Sequence, residues 1–491
     1  MKKFLKFIIL AVLILSIHFH LLDQRASAAP VKTSNYHNSN GRLVYSFSSQ
    51  GNYYFSYDRN GNTLGKTALN NIVIRTDDLN NWDQTYYHTN SLYLDESNAA
   101  YFDNDHSRAA RTMLTDDEIV WKQTGLKVFQ AITYSNNKGN YFDYFTSVNG
   151  MDWDKALPTV TVAQGSGGWS KHSYTLAPLT GANYVKIRWN NREGEIWSPQ
   201  ISKVIMHYEE NVDTLTDELS DFSMTYSRSD NLYFDSSNPL NFNNDFSRVM
   251  RTSLTSEEIV WRKDGMVSFQ ARTFFYPENM SHFKIYTSFD GVNWRLRVPD
   301  IIEGEQYEDW PQIIYALDNL EDTNFVKIVW TGSEGYFWTP QITKVLMNYK
   351  TGMKSMTDNV SDWSRSLSHT GNLWLDNSNL SFFDNDTSRI MRTQFTDEEV
   401  IWKHDKIRSF HSVVYKDESE GGTLEFYISA NGTEWSRKIP QVVRLGKTAD
   451  WTKYTYSLHD LSNVNYLKIK WSGNKENLWS PQVSSVTINH L

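Results

Sequence analysis

The phrase W-[ST]-P-Q-[IV] begins at Trp197, Trp338 and Trp479, 141 residues apart each time. So long and regular a spacing asks for three copies of one folding unit. Trp153, Trp294 and Trp435 keep the interval of 141, as do Trp169, Trp310 and Trp451, and Trp189, Trp330 and Trp471. Trp121, Trp261 and Trp402 are 140 and 141 apart, so these columns hold 15 of the 18 tryptophans. Solenoid repeats run to roughly 20–50 residues, so each copy here should be a domain rather than a turn of a superhelix. The expected organisation is a leader over residues 1–28, an extension over 29–75, and copies over 76–210, 211–350 and 351–491. No Pro- or Ser-rich linker separates the copies, which predicts short, stiff junctions.

Each copy reads as strands. EIVWK, KVFQAITY and YVKIRW are short, β-branched and aromatic. In YVKIRW the apolar set Val185, Ile187, Trp189 alternates with Tyr184, Lys186, Arg188, the period of a strand with one buried face. TSVNGMDW, TSFDGVNW and ISANGTEW place Asn-Gly or Asp-Gly where a tight hairpin needs positive φ. No stretch keeps a helical period over three turns. Roughly eight strands per copy predict three tandem antiparallel β-sandwiches of jelly-roll type.

Lys2, Lys3 and Lys6, the apolar run over residues 7–17 and the small residues Ala26-Ser27-Ala28 form a secretory signal peptide. No other stretch is apolar enough for a helical span, so no membrane anchor is expected. The chain has no cysteine, which excludes a disulfide framework and lipidation at an N-terminal Cys. The chain carries −9 and the leader carries four cations against one anion, so residues 29–491 are near −12. With no basic cluster, that charge argues against nucleic acid as a partner.

The run D-x-S-R-x-x-R-T (from Asp105, Asp245 and Asp386), then E-I-V-W-K, the S-x-[ND]-G-x-x-W hairpin, N-Y-V-K-I-x-W and W-[ST]-P-Q-[IV] resembles the galactose-binding-like jelly-roll modules appended to secreted bacterial glycoside hydrolases. The resemblance covers nearly all of residues 76–491. It implies polysaccharide binding without catalysis, although such modules normally accompany an enzyme and nothing else in this chain is large enough to be one. It also implies a structural Ca²⁺, with Asp103, Asp105, Asp245, Asp384 and Asp386 and backbone carbonyls as oxygen ligands; copy two has Asn243 where the others have Asp103 and Asp384. The alternative for the Asp–Arg motif is a buried network in which Asp105, Arg108 and Arg111 tie a loop to the sandwich. Near the N-terminus, YDRNGN is similar to a YD repeat; read by itself, it is a hairpin turning at Asn60-Gly61.

Successive loops of an antiparallel sandwich fall at opposite ends. In copy one the turn at Gly125, the Asn149-Gly150 hairpin and the loop through Gly181 fall at one end. The Asp103–Asp105 segment, the SNNKGN loop and the approaches to Trp169 and Trp197 fall at the other. That second end also varies, since SNNKGN answers to PENMS and KDESEGG, as expected of a binding end on a fixed frame. Sugar rings stack on aromatic faces, so Trp169, Trp197, Trp310, Trp338, Trp451 and Trp479 are the ligand candidates; each is equally a candidate core plug. Trp153 is expected in the core. No catalytic constellation assembles: neighbouring acids such as Asp117 and Glu118 begin a strand and point to opposite faces. The first reading is a multivalent polysaccharide-binding protein. The second is a structural or adhesive wall or matrix protein that contacts other proteins. The oligomeric state is not legible.

Overall fold

The computed structural model describes residues 33–491 apart from 39, 58–59, 70, 137–141, 191–194, 277–282, 308, 321–322, 332–335, 420–421, 473–477 and 479–480. The expected leader, Asp58-Arg59 of the YD-like run, and Trp479 lie outside the described residues. Among the described residues the only helical elements are the 3-10 turns Ala99–Tyr101, Pro239–Phe242 and Leu380–Phe382. Among the described residues, no helix is long and apolar enough to cross a membrane.

Copy one is an antiparallel sandwich. One sheet runs in the order Thr159–Gln164, Ser170–Leu176, Leu126–Ser135, Gln200–Glu209, Arg108–Arg111, Leu92–Asp95, with Ile72–Asp77 also paired to Gln200–Glu209. The other runs Asp154–Ala156, Phe142–Ser147, Tyr184–Trp189, Glu118–Lys122, Tyr87–His88. Copies two and three repeat this order. In them the strands flanking the Gly125 corner fuse into single strands, Glu257–Phe274 and Glu398–Asp417, that serve both layers. The corner keeps its left-handed residue in every copy: Gly125, Gly265 and Lys406 have φ of 74°, 71° and 51°. A bent strand that switches sheets in this way closes the corner of a sandwich.

Each copy has its own core, and the alternating residues reach it as expected: Val185, Ile187 and Trp189 are buried in copy one, and Val326, Ile328 and Trp330 in copy two. Copy three buries Leu467, Ile469 and Trp471. Buried Trp rings bring an N–H that needs an acceptor. Trp121, Trp261 and Trp402 donate to Asp77, Asp217 and Asp358 at 2.8, 2.9 and 2.9 Å. Trp189, Trp330 and Trp471 donate to the carbonyls of Pro199, Pro340 and Pro481 at 3.0, 2.9 and 2.9 Å. The proline of the recurring phrase is therefore the acceptor of a core tryptophan.

The Asn-Gly hairpins form as expected, with the Asn149 side chain accepting from the N–H groups of Met151 and Asp152 at 2.9 and 3.0 Å. Trp153 departs from expectation. It is half-buried and outside the core, with the Lys186 ammonium 4.2 Å from its ring centre; Lys327 on Trp294 and Lys468 on Trp435 repeat the arrangement. The hairpin ends are not free in the first two copies. Asp154 and Asp152 of copy one pair with Arg272 and Lys344 of copy two, and Phe289 of copy two stacks on His411 of copy three at 4.0 Å. Connections are short: Gln200–Glu209 ends and Val212–Asp217 begins two residues later.

The N-terminal region is a four-stranded antiparallel sheet, Thr33–His37, Leu43–Ser48, Gly51–Tyr57 and Thr63–Leu69, larger than the single hairpin read from Asn60-Gly61. It buries Tyr36, Val44, Tyr45 and Phe47 with Val128 of copy one. At its edge, Asp318 of copy two accepts from Lys127 of copy one at 2.9 Å and from Tyr45 at 3.0 Å. Burial works against the Lys127 charge, but Asp318 and Glu209 outweigh it and raise its pKa.

Candidate functional site

At the end of the sandwich away from the Asn-Gly hairpin, an arginine and a row of aromatic rings stand in sequence. Arg108 is fully buried. Its Nε donates to Gln200 Oε1 at 2.6 Å, Nη1 to the Asp105 carbonyl at 2.5 Å, and Nη2 to Asp95 Oδ2 at 3.2 Å and the Ser97 carbonyl at 2.6 Å. Arg248 makes the same set with Gln341, the Asp245 carbonyl, Asp235 and Ser237. Arg389 makes it with Gln482, the Asp386 carbonyl, Asp376 and Ser378. Arg108 of the expected network does tie the loop to the sandwich, but its acid is Asp95 rather than Asp105, which contributes its backbone, and Arg111 donates to the Thr115 carbonyl at 3.2 Å. Burial opposes the Asp95 charge, yet hydrogen bonds from Ser97 and Gln200 and the Arg108 charge hold its pKa below the ordinary value. The glutamine of W-[ST]-P-Q-[IV] is thus the acceptor that closes the arginine's shell.

The guanidinium lies 3.9 Å from the Phe102 ring centre, Phe102 is 4.7 Å from Trp169, and Trp169 is 5.3 Å from Trp197. Copy two repeats the row as Arg248, Phe242, Trp310, Trp338 at 3.9, 4.6 and 5.4 Å. Copy three repeats its described part, Arg389, Phe383, Trp451, at 3.8 and 4.7 Å. A cation over a ring and tilted ring pairs each add modestly to apolar burial, so the row is a stiff post rather than loose side chains. Trp169 and Trp310 are buried and form its foot, and Trp451 and Trp338 are half-buried. Trp197, 41% exposed, is the ring that offers a face to solvent in copy one. Both tryptophans stand together at the end read from the sequence, one buried and one exposed.

Around the post, the copies diverge. Copy one sets Asn136 against Glu195 in a short hydrogen bond. Copy two has Tyr276 and Tyr336 there, edge to face at 6.2 Å; Tyr336 stacks on Trp338 at 4.7 Å and 21°, and Tyr276 packs 5.3 Å from Trp338. Tyr336 is 46% exposed. Copy three has Asp417, which accepts from Ser419.

The aspartates do not fit a calcium cage. Asp103 Oδ2 accepts from Lys171 at 2.7 Å and from Tyr134 at 3.0 Å, and these donors hold its pKa below the ordinary value. Asp384 pairs with Lys453 at 3.1 Å. Copy two changes all three partners to neutral residues, Asn243, Gln312 and Phe274. The cation at this carboxylate is therefore a lysine ammonium, absent where the carboxylate is absent. Asp105 accepts from the Ser107 N–H and the Ser202 hydroxyl, and Asp245 and Asp386 from the N–H of Ser247 and Ser388. Burial raises Asp245 to about 6 against the Ser247 bond and the Arg248 charge. Among the described residues no group of three or more acids and histidines is placed to hold a metal.

Phe102, Phe242 and Phe383 escaped the sequence reading, although each precedes the same D/N-N-D run. Asp95, Asp235 and Asp376 escaped it as well; they sit outside the arginine motif and meet it only through strand pairing.

No family model and no curated protein matches the chain. Among solved structures it is similar to the tandem CBM51 modules of a family 98 glycoside hydrolase from Streptococcus pneumoniae, at 10% identity over 56% of this chain and 99% of that one, with a TM-score of 0.22. It is similar to the N-terminal CBM22 tandem of a Paenibacillus barcinonensis protein, at 8% identity over 57% and 98%, TM-score 0.20. The triple jelly roll of an archaeal virus turret gives 11% identity over 83% and 89%, TM-score 0.16. The fold assignment for this chain rests on its own strand order.

Proposed function

We propose that the chain is a secreted, non-catalytic, multivalent carbohydrate-binding protein whose sandwiches bind neutral polysaccharide at the aromatic end. The observation that carries this reading is an exposed ring backed by a second ring: Trp197 on the buried Trp169, and Tyr336 on the half-buried Trp338. A ring held from behind offers a flat apolar face at little entropic cost, which suits the C–H face of a pyranose. The variable polar or aromatic residues beside it supply selectivity. Secretion rests on the leader residues, and preference for a neutral glycan over nucleic acid rests on the charge near −12. Non-catalysis is supported by the fate of the neighbouring acids. Asp117 accepts from Thr89, Ser91 and Thr115, while Glu118 pairs with Lys186, so the two carboxylates serve separate structural bonds. The test is retention on a panel of insoluble polysaccharides, with Trp197→Ala and Tyr336→Ala as controls. Retention of wild type that the variants lose supports the reading; failure of wild type on every glycan leaves the adhesive, protein-contacting reading in its place.

A further inference from the structure

We propose that the N-terminal sheet is a cap: on sandwich one it occupies the face that, on sandwiches two and three, receives the hairpin end of the preceding sandwich, and so prevents the chain from adding head to tail to a second copy of itself. The argument begins with one cross-strand pair. Val128 faces His207, Ser268 faces Asn348, and Ser409 faces Asn489, the same position in three copies, and every member is buried. On sandwich two, Asn183 of sandwich one donates to Thr214 at 2.7 Å, and Thr214 donates to Asn348 at 2.6 Å. On sandwich three, Asn324 of sandwich two donates to Ser355 at 2.9 Å and to Asn489 at 3.0 Å. On sandwich one the visitor is the N-terminal sheet. Tyr36 Oη lies 2.8 Å from His207 Nε2, Phe47 stacks on His207 at 4.4 Å, and Val128 shares their core.

The chemistry of the face changes with its visitor. Where a sandwich docks, the face is Ser and Asn with a bridging hydroxyl from Thr214 or Ser355. Where the sheet docks, it is Val128 and His207, and the bridging position is Ile74, which has no donor. An incoming asparagine would there lack the bridging hydroxyl that Thr214 and Ser355 supply on the other two faces. The other end of the array is blunted in a matching way. Asn465 of sandwich three keeps the bond that Asn183 and Asn324 make within their own hairpins, to the Ala430 carbonyl at 3.0 Å, and is half-buried where Asn183 and Asn324 are buried. The residue that is Val148 in sandwich one and Phe289 in sandwich two, buried or stacked in the junction, is Ala430, exposed.

The experiment converts the face of sandwich one to that of sandwich two in the full chain, with Ile74→Thr, Val128→Ser and His207→Asn, and separately restores the knob with Ala430→Phe. Hydrogen exchange over residues 33–69 and light scattering across a concentration series are read. Exchange in the converted chain should quicken by about 10-fold or more, the loss of one or two net contacts. Ala430→Phe alone should scatter as wild type, and the combination should grow in mass with concentration. Tyr36→Ala with Phe47→Ala, which leaves sandwich one untouched, should loosen the same residues and, with Ala430→Phe, grow in mass less steeply than the converted chain, because Ile74 still offers no bridging hydroxyl. Unchanged exchange in both face and sheet variants, a loosened sheet with no association in either combination, or association by Ala430→Phe alone would each overturn the cap.

Discussion

At the residue scale, the recurring phrase is explained by three separate bonds. Its tryptophan tops an aromatic post, its proline carbonyl receives a core indole, and its glutamine closes the shell of a buried arginine. Glutamine is the right length to reach Arg108 Nε while its amide returns to Asp95 and the Trp197 carbonyl. Gln200→Ala leaves a buried guanidinium N–H without this acceptor, and sandwich one should lose about 1–3 kcal/mol in urea unfolding. A variant as stable as wild type would contradict the role. Trp197→Ala should act on the other property. The ring is partly exposed, so the unfolding midpoint should hold within about 1 kcal/mol while polysaccharide affinity falls by roughly 10-fold or more. Loss of stability without loss of binding would make Trp197 a plug.

At the element scale, the hairpins and alternating strands were legible because their signals are local: Asn149-Gly150 accepts positive φ, and Val185, Ile187, Trp189 show a period of two. The docking of the N-terminal sheet was not. It rests on Tyr36 meeting His207 and Tyr45 meeting Asp318, 171 and 273 residues apart, and no local period encodes such pairs. The Lys171–Asp103 pair was hidden for a similar reason, since Lys171 approaches Asp103 from 68 residues away. Asp318→Ala should cost about 3–5 kcal/mol, because the buried Lys127 ammonium then keeps only Glu209, at 3.7 Å. Calorimetry should show this together with faster exchange over residues 33–69; an unchanged midpoint would remove the junction from the account. The junction between sandwiches two and three carries a pH dependence. Burial depresses His411 to about 3, with Asp290 pulling weakly the other way. The unfolded chain, at about 6.5, takes the proton first, so stability is complete above that pH, falls on acidification, and stops falling below about 3. The loss is on the order of 3–5 kcal/mol. His411→Gln, the residue sandwich two carries as Gln270, should flatten that part of the profile in unfolding measured from pH 7 to pH 4.

At the scale of the whole molecule, the hairpin ends of sandwiches one and two are spent on their neighbours, and the aromatic ends remain. The described parts of the three posts are alike at the foot, and the tips of sandwiches one and two differ, so the copies should not bind equally. Joined sites on one polymer gain by making later contacts intramolecular, by up to roughly 10²–10⁴ where the ends reach it together. Because Asn136 with Glu195 and Tyr276 with Tyr336 occupy corresponding places, the tyrosine-rich tip of sandwich two should contribute most to that sum. The measurement that tests the central claim most directly is depletion of the full chain from solution by insoluble neutral polysaccharides, wild type beside the Trp197→Ala, Tyr336→Ala double variant, with unfolding midpoints recorded for both. The account predicts that wild type binds at least one glycan and that the folded double variant loses at least about 10-fold in affinity for it. Equal depletion of the two proteins, or none of wild type by any glycan, would contradict it.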